Sequence, residues 1–166
     1  DITVGTGYCG YAEDVLAVLR AFYFEAGAEV NGVSARQVAR AYEEGVVNYI
    51  VPNSYLAAQW DIKAAEMGEV SAQFSMGERY YEGKGTEINI DKAIYWWMKA
   101  AEQDNVAAQF NLGVIYDGGG SGTIYDPIKA GYWFERAARN GDQNAAEKLQ
   151  TDYRYNKFRK IWQKRS

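Results

Sequence analysis

Gly83-Lys84-Gly85-Thr86 is the stretch whose residue types most nearly suit a chemical step, since a lysine between glycines resembles the end of a phosphate-binding loop. That loop needs a further glycine five residues before the Gly-Lys pair and a strand leading into it. Position 78 is Glu, and the preceding segment has helical periodicity, so the stretch is a turn. Carboxylates are plentiful at Glu43-Glu44, Glu78, Glu82, Glu102 and Asp126. A glycosidase-type pair requires two of them about 5 Å apart, one in a desolvated pocket, and nothing in their spacing marks such a pair. Helix-surface solvation and capping account for them. The chain has no histidine, which removes imidazole-based metal sites and triads. Cys9 is the single cysteine and reads as a small structural thiol. No catalytic residue, metal ligand or cofactor site is expected, and a hydrolase built on surface carboxylates is the remote alternative.

What positions these residues is a repeat. Ala57, Trp60, Ala64, Ala65, Gly68 and Ala72 recur 36 residues later as Ala93, Trp96, Ala100, Ala101, Asp104 and Ala108. They recur again, 37 residues on, as Ala130, Trp133, Ala137, Ala138, Gly141 and Ala145. A weaker copy precedes them at Ala21, Phe24, Ala28 and Gly32. A fixed period in the range of about 34–47 residues marks a helical repeat array. Each copy reads as two helices. Ala72, Met76 and Tyr80 share one face of the first, which Gly83 and Gly85 stop. Asp91 is the expected N-cap of the second, and Asp126-Pro127 opens the corresponding helix of the next copy. In the third copy the run Gly118–Gly122 breaks the first helix. The expected class is all-α: one domain over 1–166, with an N-terminal cap at 1–33 and repeats at about 34–70, 71–106 and 107–144. Capping helices are expected at 145–166.

The net charge of −4 conceals an asymmetry. Residues 1–151 carry 12 basic and 21 acidic side chains, whereas residues 152–166 carry six basic side chains against Asp152 alone. An acidic body does not suit a nucleic-acid binder. In the tail, Tyr155, Phe158 and Trp162 fall on one side of a helix, which suits a cap over the last repeat or, alternatively, peripheral contact with a membrane surface. No apolar run approaches the roughly 18 residues of a membrane span. The start at Asp1, with no initiator methionine, suggests processing, and a removed signal would place the protein in the periplasm or outside the cell; the cytoplasm is the alternative.

The run Met76-Gly77-Glu78-Arg79-Tyr80-Tyr81-Glu82-Gly83-Lys84-Gly85, followed by Asp91, Ala93, Trp96 and Ala100-Ala101, resembles the Sel-one-like repeat family. Leu112-Gly113, Tyr116, Gly119, Gly122, Asp126, Ala130, Trp133 and Ala137-Ala138 match the same pattern, and the first repeat departs from it at Ala39 and in its loop. The resemblance covers about residues 20–150. It implies a right-handed α/α superhelix, similar to tetratricopeptide arrays, of three to four helix pairs. It also implies a non-enzymatic bacterial adaptor or scaffold that binds a protein partner on its concave surface. Some members resemble immunity proteins that neutralise a secreted toxin or effector, such as a type VI secretion phospholipase, and this is the alternative function.

In related solenoids the first helix of each repeat lines the concave surface. Aligning the repeats sets Arg36 with Gln73 and Gln109, Arg40 with Glu78 and Val114, and Ala41 with Arg79 and Ile115, with Tyr81 and Asn111 alongside. Exposed Tyr81, Val114 and Ile115 beside Arg36 and Arg79 would suit an interface, where tyrosine and arginine dominate hot spots. The partner-binding residues expected are therefore Arg36, Arg40, Gln73, Glu78, Arg79, Tyr81, Asn111, Val114 and Ile115. On this reading, Arg79→Glu with Ile115→Asp weakens partner capture without lowering the melting temperature.

Overall fold

The computed structural model describes residues 31–45, 50–118, 124–156 and 161–165. Cys9, the Ala21–Ala28 copy, nearly all of the expected N-terminal cap and Gly119–Gly122 lie outside these. Among the described residues, seven helices follow one another: α1 Gly32–Glu44, α2 Ser54–Glu66, α3 Val70–Glu82, α4 Ile90–Glu102, α5 Val106–Tyr116, α6 Pro127–Arg139 and α7 Gln143–Thr151. Packing runs from each helix to the next, most extensively within the pairs α1–α2, α3–α4 and α5–α6. This is an all-α solenoid of helix pairs, with α7 beginning a fourth.

The helices start where short polar side chains repeat. Asn53, Asn89 and Asp126 each accept a hydrogen bond from a backbone N–H three residues on, opening α2, α4 and α6. Glu69, Asn105 and Asp142 do the same for α3, α5 and α7. Each satisfies a donor that the first helical turn leaves orphaned. The N-cap of α4 is thus Asn89 and not Asp91, which instead sits in the first turn where its charge complements the helix dipole. Gly83 closes α3 in the left-handed conformation. The turns joining the repeats need a positive φ, met by Gly68 and Gly141 and, between them in the series, by Asp104 at 61°.

The core is the repeated alanine lattice with large aromatic side chains set into it. Ala35, Ala72, Ala108 and Ala145 of the first helices and Ala57, Ala93 and Ala130 of the second are fully buried. Trp60, Trp96 and Trp133 lie beside them with at most 8% exposure. Two close approaches depend on a missing Cβ. A Cβ on Gly77 would sit 2.2 Å from the Trp97 ring, and one on Gly113 would sit 2.5 Å from the Phe134 ring. Glycine at these two points lets the paired helices close over an aromatic plate.

The C-terminal segment departs from the helix expected there. After α7 the chain forms an antiparallel hairpin, β1 Tyr153–Asn156 with β2 Ile161–Lys164, in which Tyr153 faces Lys164 and Tyr155 faces Trp162. Aromatic and β-branched residues favour a pleated surface, and Tyr153 is buried while its neighbour Arg154 is exposed. The hairpin covers α6: a Cβ on Gly131 would meet that of Trp162 at 2.1 Å, and the Trp162 indole donates to Glu135 at 2.7 Å. Beneath it, Asp117 accepts from the Tyr153 hydroxyl at 2.5 Å, from Lys164 at 2.8 Å and from Lys148 at 3.2 Å. Among the described residues, no helix is long and apolar enough to cross a membrane.

Candidate partner-binding cleft

Eight of the nine expected site residues separate into three groups, and the first is an ion cluster inside the α1–α3 junction. Asp61 of α2 has no exposed surface and accepts from Arg36 of α1 at 2.5 Å and from Arg79 of α3 at 2.8 Å. Arg79 also donates to Glu43 at 2.5 Å, and Lys84 closes the cluster on the same carboxylate. Arg36 reaches Ser75 at 2.7 Å. Burial pushes the Asp61 carboxyl up, against the pull of Arg36 and Arg79. For Glu43 burial acts the same way, but the Lys84 and Arg79 partners outweigh it and hold the carboxyl low. Arg79 is only 3% exposed, so it braces the core and does not face a partner. Arg40 is exposed on α1, away from this cluster.

The second group is a set of amide clamps. Gln73 donates to the Ala65 carbonyl at 3.2 Å and accepts from Gln103 at 2.8 Å. One repeat later, Gln109 donates to the Ala101 carbonyl at 3.1 Å and accepts from Asn140 at 3.0 Å. Each glutamine ties the end of the preceding helix pair to the end of its own, satisfying carbonyls a helix C-terminus leaves free. Gln73 is buried and belongs to this ladder.

The remaining five residues meet. Glu78 and Tyr81 of α3 and Asn111, Val114 and Ile115 of α5 line a cleft of about 230 Å³, together with Glu82 of α3 and Trp97 of α4. Tyr81 and Trp97 form a tilted aromatic pair with centroids 5.5 Å apart. The Trp97 indole is 3% exposed, and its N–H has no hydrogen-bond partner among the described residues. Glu78 is half-buried; burial first, then the neighbouring Glu82 charge, pushes its carboxyl up, with Glu43 adding to this and Arg36 and Lys84 opposing it. Val114 and Asn111 are half-buried, but Ile115, expected as exposed, is 2% exposed and forms part of the wall.

The misplacement of Arg79 and Ile115 has one cause. With Ala35, Ala72 and Ala108 in register, Arg79 stands with Tyr42 and Ile115, all three buried, and Arg40 stands with Gly77 and Gly113. Aligning Arg40 with Glu78 shifts the register by one residue and turns a core position outward. Arg79→Glu with Ile115→Asp therefore strikes the core and lowers the melting temperature. Sequence reasoning missed Trp97 and Asp61, although they occupy one position of the repeat with Phe134.

Three successive stretches, residues 32–69, 70–105 and 106–142, match the family model described as the Sel1 repeat. The chain belongs to the Sel1 repeat family. Among solved structures it is similar to a Sel1 repeat protein from Oxalobacter formigenes, with 34% identity and a TM-score of 0.60 over 69% of this chain and 45% of that one. It is also similar to c5321, described as a protective antigen present in uropathogenic Escherichia coli strains displaying an SLR fold. That match has 27% identity and a TM-score of 0.63, over 73% of this chain and 26% of the other. The chain thus spans less than half the length of either protein. Among curated proteins there is no significant match. Sel1 repeats generally serve as protein–protein interaction modules and are typically non-catalytic.

Proposed function

We propose that this chain is a non-enzymatic adaptor that docks a protein partner across the α3–α5 face. The observation that carries the reading is the cleft itself, where an aromatic pair, an apolar wall and two carboxylates converge between the first helices of adjacent Sel1 repeats. Tyrosine and tryptophan at a partly desolvated depression are the residues from which interface hot spots are made. Helix-pair solenoids expose such a surface because each pair buries only the faces turned to its neighbours.

The test is affinity capture from source lysate with the whole chain as bait, beside a Val114→Arg variant. Val114 is half-buried at the cleft, so the arginine blocks it while the core alanines stay in place. Capture should fall sharply in the variant at an unchanged melting temperature. Equal capture by both proteins would remove the cleft as the docking site. A single stoichiometric toxin as the captured protein would turn the adaptor into an immunity protein.

A further inference from the structure

The second helices carry the apolar outer side of this molecule. Ile88, Tyr95, Met98, Tyr125, Ile128 and Tyr132, on α4, on α6 and in the loops leading into them, are each between 38% and 67% exposed. On the first helices, among the described residues, Val33 alone is a large hydrophobic side chain so exposed. α4 and α6 belong to consecutive repeats, and Arg136 of α6 donates to the Glu102 carbonyl at 3.4 Å and to Asp104 at 3.0 Å, holding the end of α4 beside it. Tyr95 and Tyr132 occupy one position of the repeat. Each packs edge-on against the tryptophan that follows it, with centroids 5.1 and 5.0 Å apart. Both rings are thus held in place before anything meets them, which lowers the entropic cost of a contact.

Area and charge say what fits this face. Half of a tyrosine side chain is on the order of 100 Å², so six residues exposed to this extent present roughly 600 Å² of mostly apolar surface. A standard interface takes roughly 800 Å² from each partner, a little over half of it apolar. The face therefore supplies the apolar share of one stable contact. Residues 87–102 carry three acidic and two basic side chains, and residues 124–139 carry two acidic and three basic. Taken together they are neutral, so an anionic lipid surface gains no net attraction from them. A twofold axis that lays α4 of one copy on α6 of another sets a net negative segment against a net positive one.

We propose that two copies of this chain pair through the outer faces of α4 and α6, each α4 against the other copy's α6, with Tyr95 and Tyr132 as anchors. The α3–α5 cleft takes no part, so the dimer carries two clefts, and the pairing stands or falls separately from the docking of a partner.

Sedimentation of the full chain from micromolar to near-millimolar concentration tests this. The mass should rise from 18.7 kDa to twice that value and stop there. Tyr95→Glu with Tyr132→Glu should weaken dimerisation at least about 100-fold, the scale of two hot-spot residues, at an unchanged helical circular dichroism signal. Val33→Glu, equally exposed but off this face, should dimerise like the parent. Lys129→Glu turns the α6 segment net negative and should weaken the dimer, and adding Glu87→Lys should restore it. A chain that stays monomeric throughout overturns the proposal; if that monomer floats with phosphatidylglycerol vesicles, the face belongs to a lipid surface. Growth beyond the dimer, or a dimer that survives the double tyrosine substitution, overturns it as well. A dimer that ignores Lys129→Glu, or that Glu87→Lys fails to rescue, overturns the pairing of α4 with α6.

Discussion

The junction between the first and second repeats and the junction between the second and third are built on one frame with opposite fillings. At three equivalent positions the first and second use Arg40, Asp61 and Arg79; the later copies set Gly77 against Trp97 and Gly113 against Phe134, with Ile115 where Arg79 stands. One junction closes on a buried carboxylate clasped by two guanidiniums, the other on an aromatic ring laid over a glycine. The alanine lattice around both is the same and fully buried. Helix-pair geometry therefore comes from the small residues, and the position between the pairs is free to vary. Where it is ionic, Arg36 and Arg79 are consumed internally. Where it is aromatic, as at Trp97, the tryptophan and two carboxylates line a cleft.

The ionic junction should be the easier to wreck. Asp61→Ala leaves Arg36 and Arg79 without their shared carboxylate, and stranding a buried charge costs about 3–5 kcal/mol. Urea unfolding should show this loss. The comparison sharpens if the third-repeat filling is moved into the first, with Arg36→Gln, Arg40→Gly, Asp61→Phe and Arg79→Ile together. Replacing a buried ion cluster by packed apolar groups is often neutral or stabilising, so the fourfold variant should unfold at least as late as the parent. If it unfolds as early as Asp61→Ala, the two junctions are not interchangeable and the frame itself differs between them.

The aromatic junctions break by overpacking. Gly77→Ala and Gly113→Ala each place a methyl inside a ring contact, and such insertions cost about 1–3 kcal/mol. Calorimetric melting of both variants should show comparable losses, with Gly77→Ala also disturbing the cleft through Trp97. A substitution at Gly113 that leaves the melting temperature unchanged would mean that Phe134 yields easily. Smaller again is the amide ladder: Gln109→Ala should cost about 1 kcal/mol, the net worth of a typical buried hydrogen bond, and Gln73→Ala about the same. Unequal losses at the two positions would show that the clamp depends on the filling beside it.

The repeat, its helix pairs and the packing of Trp60, Trp96 and Trp133 were legible in the sequence because small and large residues recur at fixed spacing. The fillings were not, because a buried arginine and an exposed one look alike until the partner carboxylate is placed. Asp61 lies 18 residues before Arg79 and 25 after Arg36, on a different helix from either, so the turns between them break any helical periodicity that could connect them. A one-residue error in register also matters more in a helix than in the lattice count, since it rotates a side chain by roughly a quarter turn. Five of the nine expected site residues still converge, because Glu78, Tyr81, Asn111, Val114 and Ile115 border the same gap between α3 and α5. The tail misled for a different reason. Tyr155, Phe158 and Trp162 fit a helical stripe, while Tyr153, whose hydroxyl finds Asp117, fits only the strand.

That tail offers the last contrast, an ion cluster beneath the hairpin that should respond to pH where the aromatic junctions should not. Burial pushes the Asp117 carboxyl up, but Lys164, the Tyr153 hydroxyl and Lys148 outweigh it and hold it below its ordinary value of 3.8. A carboxyl depressed in the folded state stabilises that state above its unfolded value and loses this contribution as the pH falls through the folded one. The Tyr153 hydroxyl and Lys164 are both shifted upward, so neither titrates in the acid range. At pH 7 Asp117→Asn should cost about 1.5–3 kcal/mol, the range for hydrogen bonds to a charged group. Below the folded pKa the parent carries a neutral carboxyl too, so the gap between the two proteins in urea unfolding should shrink toward zero. A gap that stays constant from pH 7 to the acid limit would mean that the hairpin is held by the seating of Trp162 on Gly131 and not by the charge beneath it.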